Sequence, residues 1–168
     1  YRVLARNFGK LNNGKKVVEV EEVAVGSKDM SFDEYVALRR LAFIITVTYN
    51  GKAFASLFKL FRQLKLDVFA LLNEVLERIS EASLAVQELN AGFETETREE
   101  LWDSEEELRA FYSQDVNYDL LVSGEQGANL LQKYSALSLT QTSADWSHYV
   151  FKVARDIVSR QMGGDGGR

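Results

Sequence analysis

The chain has no cysteine and no proline, a single histidine, and no dense cluster of lysine or arginine among its 168 residues. Without cysteine, disulfides, iron–sulfur ligation, thiolate nucleophiles and cysteine zinc sites are excluded. Average usage of roughly 5% would give about eight prolines. Proline breaks helix interiors and central strands, so its absence suits a chain dominated by helices. The net charge of −5 weighs against nucleic acid, whose binders need a basic face to displace counterions from phosphates. Anionic membrane surfaces are disfavoured for the same reason. The longest apolar run, Leu41 to Val47, contains Thr46 and falls short of the roughly 18 residues a spanning helix requires. No leader pattern opens the sequence, and a cytoplasmic location is the expectation. The sequence starts at Tyr1 rather than Met, so it reads as an excised or processed piece; Gly163 to Arg168 reads as a flexible tail.

What is present builds a core: 46% of residues are hydrophobic and 11% aromatic, enough for one folded domain. The first 26 residues look extended. Val17, Val18, Val20, Val23 and Val25 interleave with glutamates after an Asn12-Asn13-Gly14 turn signal, which predicts a hairpin with strands within 1–8 and over 16–25. An isolated hairpin is marginal in water. It is therefore expected to pack on the helices, to join a sheet in upstream chain, or to pair with a second copy in a homodimer. From Ser31 the period changes. Ser31 with Glu34 forms a capping box that starts a helix running to about Tyr49. Phe54, Leu57, Phe58, Phe61 and Leu64 make one helical stripe; Val68, Leu71, Leu72, Val75, Leu76 and Ile79, capped by Asp67, make another. Residues 81–91 read as helical, and the acidic, threonine-rich stretch 92–100 as a loop. Three helices close the chain, opened by a Ser104–Glu107 capping box, by Gly124–Gly127 and by Ser143. The fold class is mainly α: a bundle-like domain of about six helices over 27–162 with a short N-terminal hairpin over 1–26.

Residue types that carry chemistry are sparse. His148 falls off the stripe of Trp146, Tyr149, Val150, Val153 and Ile157 and reads as a surface histidine. One imidazole with carboxylates is a weak metal constellation. No serine sits in a Gly-x-Ser-x-Gly elbow. The acidic clusters (Glu19/Glu21/Glu22, Glu94/Glu96/Glu99/Glu100 and Asp103/Glu105/Glu106/Glu107) lie beside turns and at helix starts, where they read as solvated faces that complement helix dipoles. Gly124-Glu125-Gln126-Gly127 lacks the lysine of a phosphate-cradling loop. Arg39, four residues after Tyr35 and four before Phe43, lies on an apolar-flanked face. It calls for a carboxylate partner or an anionic ligand.

The stretch Val23-Ala24-Val25-Gly26-Ser27-Lys28-Asp29-Met30-Ser31-Phe32-Asp33-Glu34-Tyr35 resembles the C-terminal region of cobalamin-binding radical SAM proteins, where a similar S-K-x-M-S-F-x-E-Y segment leads from the barrel into helices. The resemblance continues in Arg39–Phe43, in Tyr49-Asn50, and in Gly124–Asn129 with Lys133-Tyr134, and covers about residues 15–155. The family's Cys-x3-Cys-x2-Cys cluster motif has no counterpart here. Its Asp-x-His-x-x-Gly cobalamin motif does not fit Asp145–Phe151. The resemblance therefore implies a non-catalytic accessory domain that covers or shapes the substrate end of a barrel, or stabilises it. The iron–sulfur cluster, S-adenosylmethionine and cobalamin would all be held upstream, with no cofactor or metal in this chain. Its candidate ligand- or interface-facing residues are Lys28, Arg39, Arg40, Glu125 and Asn129. The alternatives are a helical protein–protein interaction module and a small hydrolase using a glutamate with His148.

Overall fold

The computed structural model describes residues 1–163. Strand β1 (Arg2–Lys10) reverses through Leu11–Lys15 into antiparallel β2 (Lys16–Val23). Gly14 takes the left-handed conformation (φ +81°) the turn needs, and the Asn13 side chain accepts a hydrogen bond from the Lys15 amide at 3.0 Å. The expected hairpin is present. Its register shifts between Ala5 and Asn7, so Arg6 is bulged and the buried alternation of Val3 and Ala5 ends there.

Among the described residues eight α-helices follow: α1 (Phe32–Ile45), α2 (Ala55–Gln63), α3 (Val68–Glu77), α4 (Leu84–Glu99), α5 (Glu105–Ser113), α6 (Asp115–Ser123), α7 (Leu130–Gln141) and α8 (Ser143–Gly163). The mainly α class holds, with more helices than the stripes alone announced. α1 finishes as a π-turn over Thr46–Asn50. There the Thr46 and Thr48 hydroxyls donate to the carbonyls of Ala42 and Ile44 at 2.7 and 2.6 Å, a side-chain bond that competes with the α ladder. The β-branched run thus stays helical, and Phe43, Ile44, Val47 and Thr48 are buried.

Three readings of the sequence are corrected. Residues 92–99 are not a loop but the second half of α4, whose buried row is Val86, Asn90, Phe93 and Thr97. Two of those four are polar, which hid the stripe. Gly124 does not open a helix: at φ +78° it closes α6 as a left-handed C-cap, and α7 starts only at Leu130. Among the described residues the last third holds four helices rather than three, because α6 follows α5 with a break at Gln114 alone. Of the tail expected over 163–168, Gly163 is the last residue of α8 and the rest lies outside the described residues.

The chain divides into two compact units, Tyr1–Leu38 with Glu94–Leu130, and Arg39–Phe93 with the chain from Leu131 on. In the first, the hairpin lays Val3, Ala5 and Val18 on Leu108 and Tyr112 of α5 and on Tyr118 and Leu121 of α6. In the second, Phe43 stacks on Phe93 with centroids 4.8 Å apart, and Tyr134 and Trp146 meet it edge-on. Gly92 lets α4 approach α7: a Cβ there would come within 2.8 Å of the Tyr134 hydroxyl. Tyr149 donates to the Val75 carbonyl at 2.6 Å, tying α8 to α3; burial pushes its phenol up from the ordinary value.

Candidate functional site

The residues that carried the family resemblance assemble into a joint between β2 and α1. The Ser27 amide donates to the Met30 carbonyl at 2.8 Å, and the Ser27 hydroxyl accepts from the Asp29 amide at 3.1 Å. Gly26 lies so close beneath this turn that a Cβ would stand 3.2 Å from the Met30 carbonyl oxygen. The Ser31–Glu34 capping box is complete in both directions: the Glu34 amide donates to the Ser31 hydroxyl at 3.2 Å, and the Ser31 amide to the Glu34 carboxylate at 2.7 Å. These bonds from Ser31 hold the Glu34 carboxyl below its ordinary value. Phe32 then takes the guanidinium of Arg2 from β1 over its ring at 4.3 Å and that of Arg98 from α4 at 5.5 Å, while Tyr35 stacks beside it. Arg98 also binds Asp33 at 2.9 Å. The motif is a mechanical joint between strand and helix.

Among the nominated residues, Lys28 is exposed on the Ser27–Met30 turn, and Glu125 and Asn129 are exposed between α6 and α7. Arg39 and Arg40 are half-buried on α1, and the Arg39 guanidinium lies 5.8 Å over the Phe93 ring, in the second unit. Of the three in the first unit, Glu125 lines a pocket of about 250 Å³. Its apolar wall is Leu4 and Ala5 of β1 with Trp102 and Tyr112; its rim carries Glu96 and Glu99 of α4 and Glu100 just after it. Tyr112 donates to the Gln126 side chain at 2.8 Å, and burial raises its phenol. Sequence reasoning treated the 94–100 carboxylates as a solvated face. The structure leaves Glu99 exposed but half-buries Glu94, Glu96 and Glu100, because α4 continues where a loop was expected. Glu105–Glu107 and Glu19, Glu21 and Glu22 are exposed, as their reading as solvated faces implied. The aromatic wall was not legible, since Trp102 and Tyr112 reach it only through the α5–hairpin packing.

His148 is exposed on α8 beside Glu81, Asp145, Tyr149 and Lys152, around a hollow of about 380 Å³. Glu81 is held at a pKa of about 2 by hydrogen bonds from Arg78 and then Lys152, so it stays ionised at neutral pH and has no proton to give. It belongs to an ion network in which Arg78 also reaches Glu74 at 2.8 Å and Asp156 at 2.7 Å, and Arg160 reaches Glu74 at 2.6 Å. The network fastens α3 and its following turn to α8. Among the described residues, no group of three His, Asp or Glu side chains could hold a metal ion, and no single helix is long and apolar enough to cross a membrane. Set against known proteins, the chain matches no family model, no curated protein and no solved structure.

Proposed function

We propose that this chain is a non-catalytic accessory domain at the C-terminal end of a cytoplasmic radical SAM enzyme, where it covers or shapes the substrate end of the barrel, or stabilises it. One observation carries the reading. Among the residues by which the sequence resembles that region, Gly26 to Tyr35 build the joint that hands the chain from β2 to α1 and lock it with Arg2 and Arg98. Residues spent on such a joint serve architecture, which is the role the resemblance implies. On this reading the cluster, S-adenosylmethionine and cobalamin bind upstream, and residues 1–26 form the junction with the barrel.

The test is the coding sequence immediately upstream of Tyr1, followed by expression of the whole open reading frame. A Cys-x3-Cys-x2-Cys motif upstream, with an iron–sulfur absorbance in the purified full-length product, supports the reading. An upstream sequence without that motif removes it.

A further inference from the structure

We propose that the face carried by the π-turn and α2 is a docking site for an acidic protein segment. The proposal is independent of the accessory-domain reading. Between Tyr35 and Asp67 the chain has six cations and no carboxylate, in a protein whose net charge is −5. Four of these cations, Lys52, Lys59, Arg62 and Lys65, are exposed on or beside α2. Among the described residues none of the four has an ion-pair partner, whereas Arg78, Lys152 and Arg160 of the same unit are tied into the carboxylates of α3, of the turn that follows it and of α8.

The backbone gives a second, separate observation. Among the described residues, only Lys52 (φ +57°) and Lys65 (φ +56°) adopt a positive φ without being glycine. They bracket α2, one on each side. Both positions strain an L side chain and would be relaxed by glycine. Strain kept in this way is a reason to look for a function served by the side chain. Here the side chain is the same cation twice.

The groove beside Lys52 defines the occupant. Tyr49, Asn50, Lys52, Ala55, Phe58 and Arg62 surround a hollow of about 360 Å³. Tyr49 is 44% exposed, and its ring meets that of Phe58 at 5.1 Å. Leu60 on α2 and Leu64 just after it are also exposed. A hollow of this size fits an inserted side chain, whereas a bilayer presents a flat surface. Nucleic acid calls for a longer basic track than four cations interleaved with apolar groups, and for less negative charge elsewhere in the chain. A peptide with carboxylates flanking an aliphatic or aromatic side chain meets both requirements: the carboxylates pair with Lys52 and Arg62, Arg62 in bidentate fashion, and the apolar group enters the hollow against the exposed Tyr49 ring.

The test uses the full chain and a fluorescein-labelled peptide of Glu-Leu-Glu-Tyr repeated three times. Its comparison probes are phosphatidylserine-containing vesicles and single-stranded oligothymidylate. Saturable, salt-sensitive peptide binding is expected, weaker by about tenfold or more in Lys52→Glu and in Arg62→Glu and unchanged in Lys15→Glu, an exposed cation of the other unit. Lys52→Gly with Lys65→Gly should bind more weakly while its urea midpoint stays the same or rises, because charge is removed and strain relieved together. No saturable peptide binding, an equal loss with Lys15→Glu, or tighter binding of vesicles or oligothymidylate overturns the proposal. So does a fall in the urea midpoint of the double glycine variant with peptide affinity intact.

Discussion

Single residues show which parts of a sequence speak for themselves. Asp67 and Ser104 occupy the cap positions their neighbours implied, accepting from the amides of Phe69 and Glu107, because a cap depends only on the next two or three residues. His148 is exposed for an equally local reason, its angle on α8. Asn90 and Thr97 reverse the lesson. Both are buried in the row that α4 presents inward, and a reading that scores polar residues as solvated turns half of that helix into a loop. Leu72 sits on the clean side of the divide. It is 5% exposed, next to the fully buried Leu71 in the α3 stripe. Leu72→Ala should cost about 2 to 5 kcal/mol, the usual span for a buried leucine cut to alanine. Urea unfolding of the two proteins measures it, and a loss below roughly 0.5 kcal/mol, the size of an ordinary surface substitution, would place that stripe outside the core.

At the scale of elements, pairings between distant stretches were the part the sequence left open. Stripes located most helices, but nothing local announced that Arg78 would gather Glu74, Glu81 and Asp156, the last of them from α8. That network makes the α3–α8 packing acid-sensitive. Hydrogen bonds from Arg78 depress the Glu81 and Asp156 carboxyls; at Glu74 burial pushes upward, but Arg78 and Arg160 outweigh it and the net shift is also down. A carboxyl depressed in the folded state stabilises the fold above its unfolded pKa and loses that contribution as pH falls through the folded value. For Glu81 the window runs from the ordinary 4.5 down to about 2. Thermal melts should therefore fall in Tm across that window, and Arg78→Met should flatten the slope. An unchanged slope in the variant would remove the network from the acid response.

The hairpin is the second element whose fate depends on distant chain. From the valines alone its edges looked open. In the structure β1 meets Trp102 through paired backbone hydrogen bonds at Val3 (2.9 and 2.8 Å), and the Val18 carbonyl of β2 accepts from Arg109 of α5 at 2.9 Å. Each edge thus has one clamp, and one face is covered by α5 and α6. Hydrogen exchange should find slow amides at Val3 and Trp102, whose N–H groups close the bridge, and fast ones around Asn12–Gly14 at the turn. Arg109→Ala, which frees the Val18 carbonyl, should quicken exchange along β2. If the Val3 amide exchanges as fast as the turn in a protein that sediments as a monomer, the bridge is not a lasting one. The hairpin edge would then be available to upstream chain or to a second copy.

For the molecule as a whole, the division into two units was the least legible feature, because each unit joins stretches far apart in sequence: 1–38 with 94–130, and 39–93 with the chain from Leu131 on. No composition shift or linker marks such a boundary. Two of its crossings, after Leu38 and after Phe93, fall inside α1 (Phe32–Ile45) and α4 (Leu84–Glu99). This bears on cooperativity. A helix forms and melts as a segment, since every new end costs a nucleation step. Neither unit can be completed by one continuous stretch, so each also carries loop-closure entropy that the other's chain must span. Both arguments favour a single unfolding transition over two. The tryptophans are placed to decide it, for Trp102 reports the first unit and Trp146 the second, and there are no others. In Trp146→Phe the remaining fluorescence follows the hairpin unit, and in Trp102→Phe it follows the helical one. In each variant the fluorescence midpoint in urea should coincide with that of far-UV circular dichroism. A Trp102 transition displaced from the dichroism curve would mean that α1 and α4 can fray at the boundary, and that the hairpin unit comes apart while the Phe43–Phe93–Trp146 core still stands.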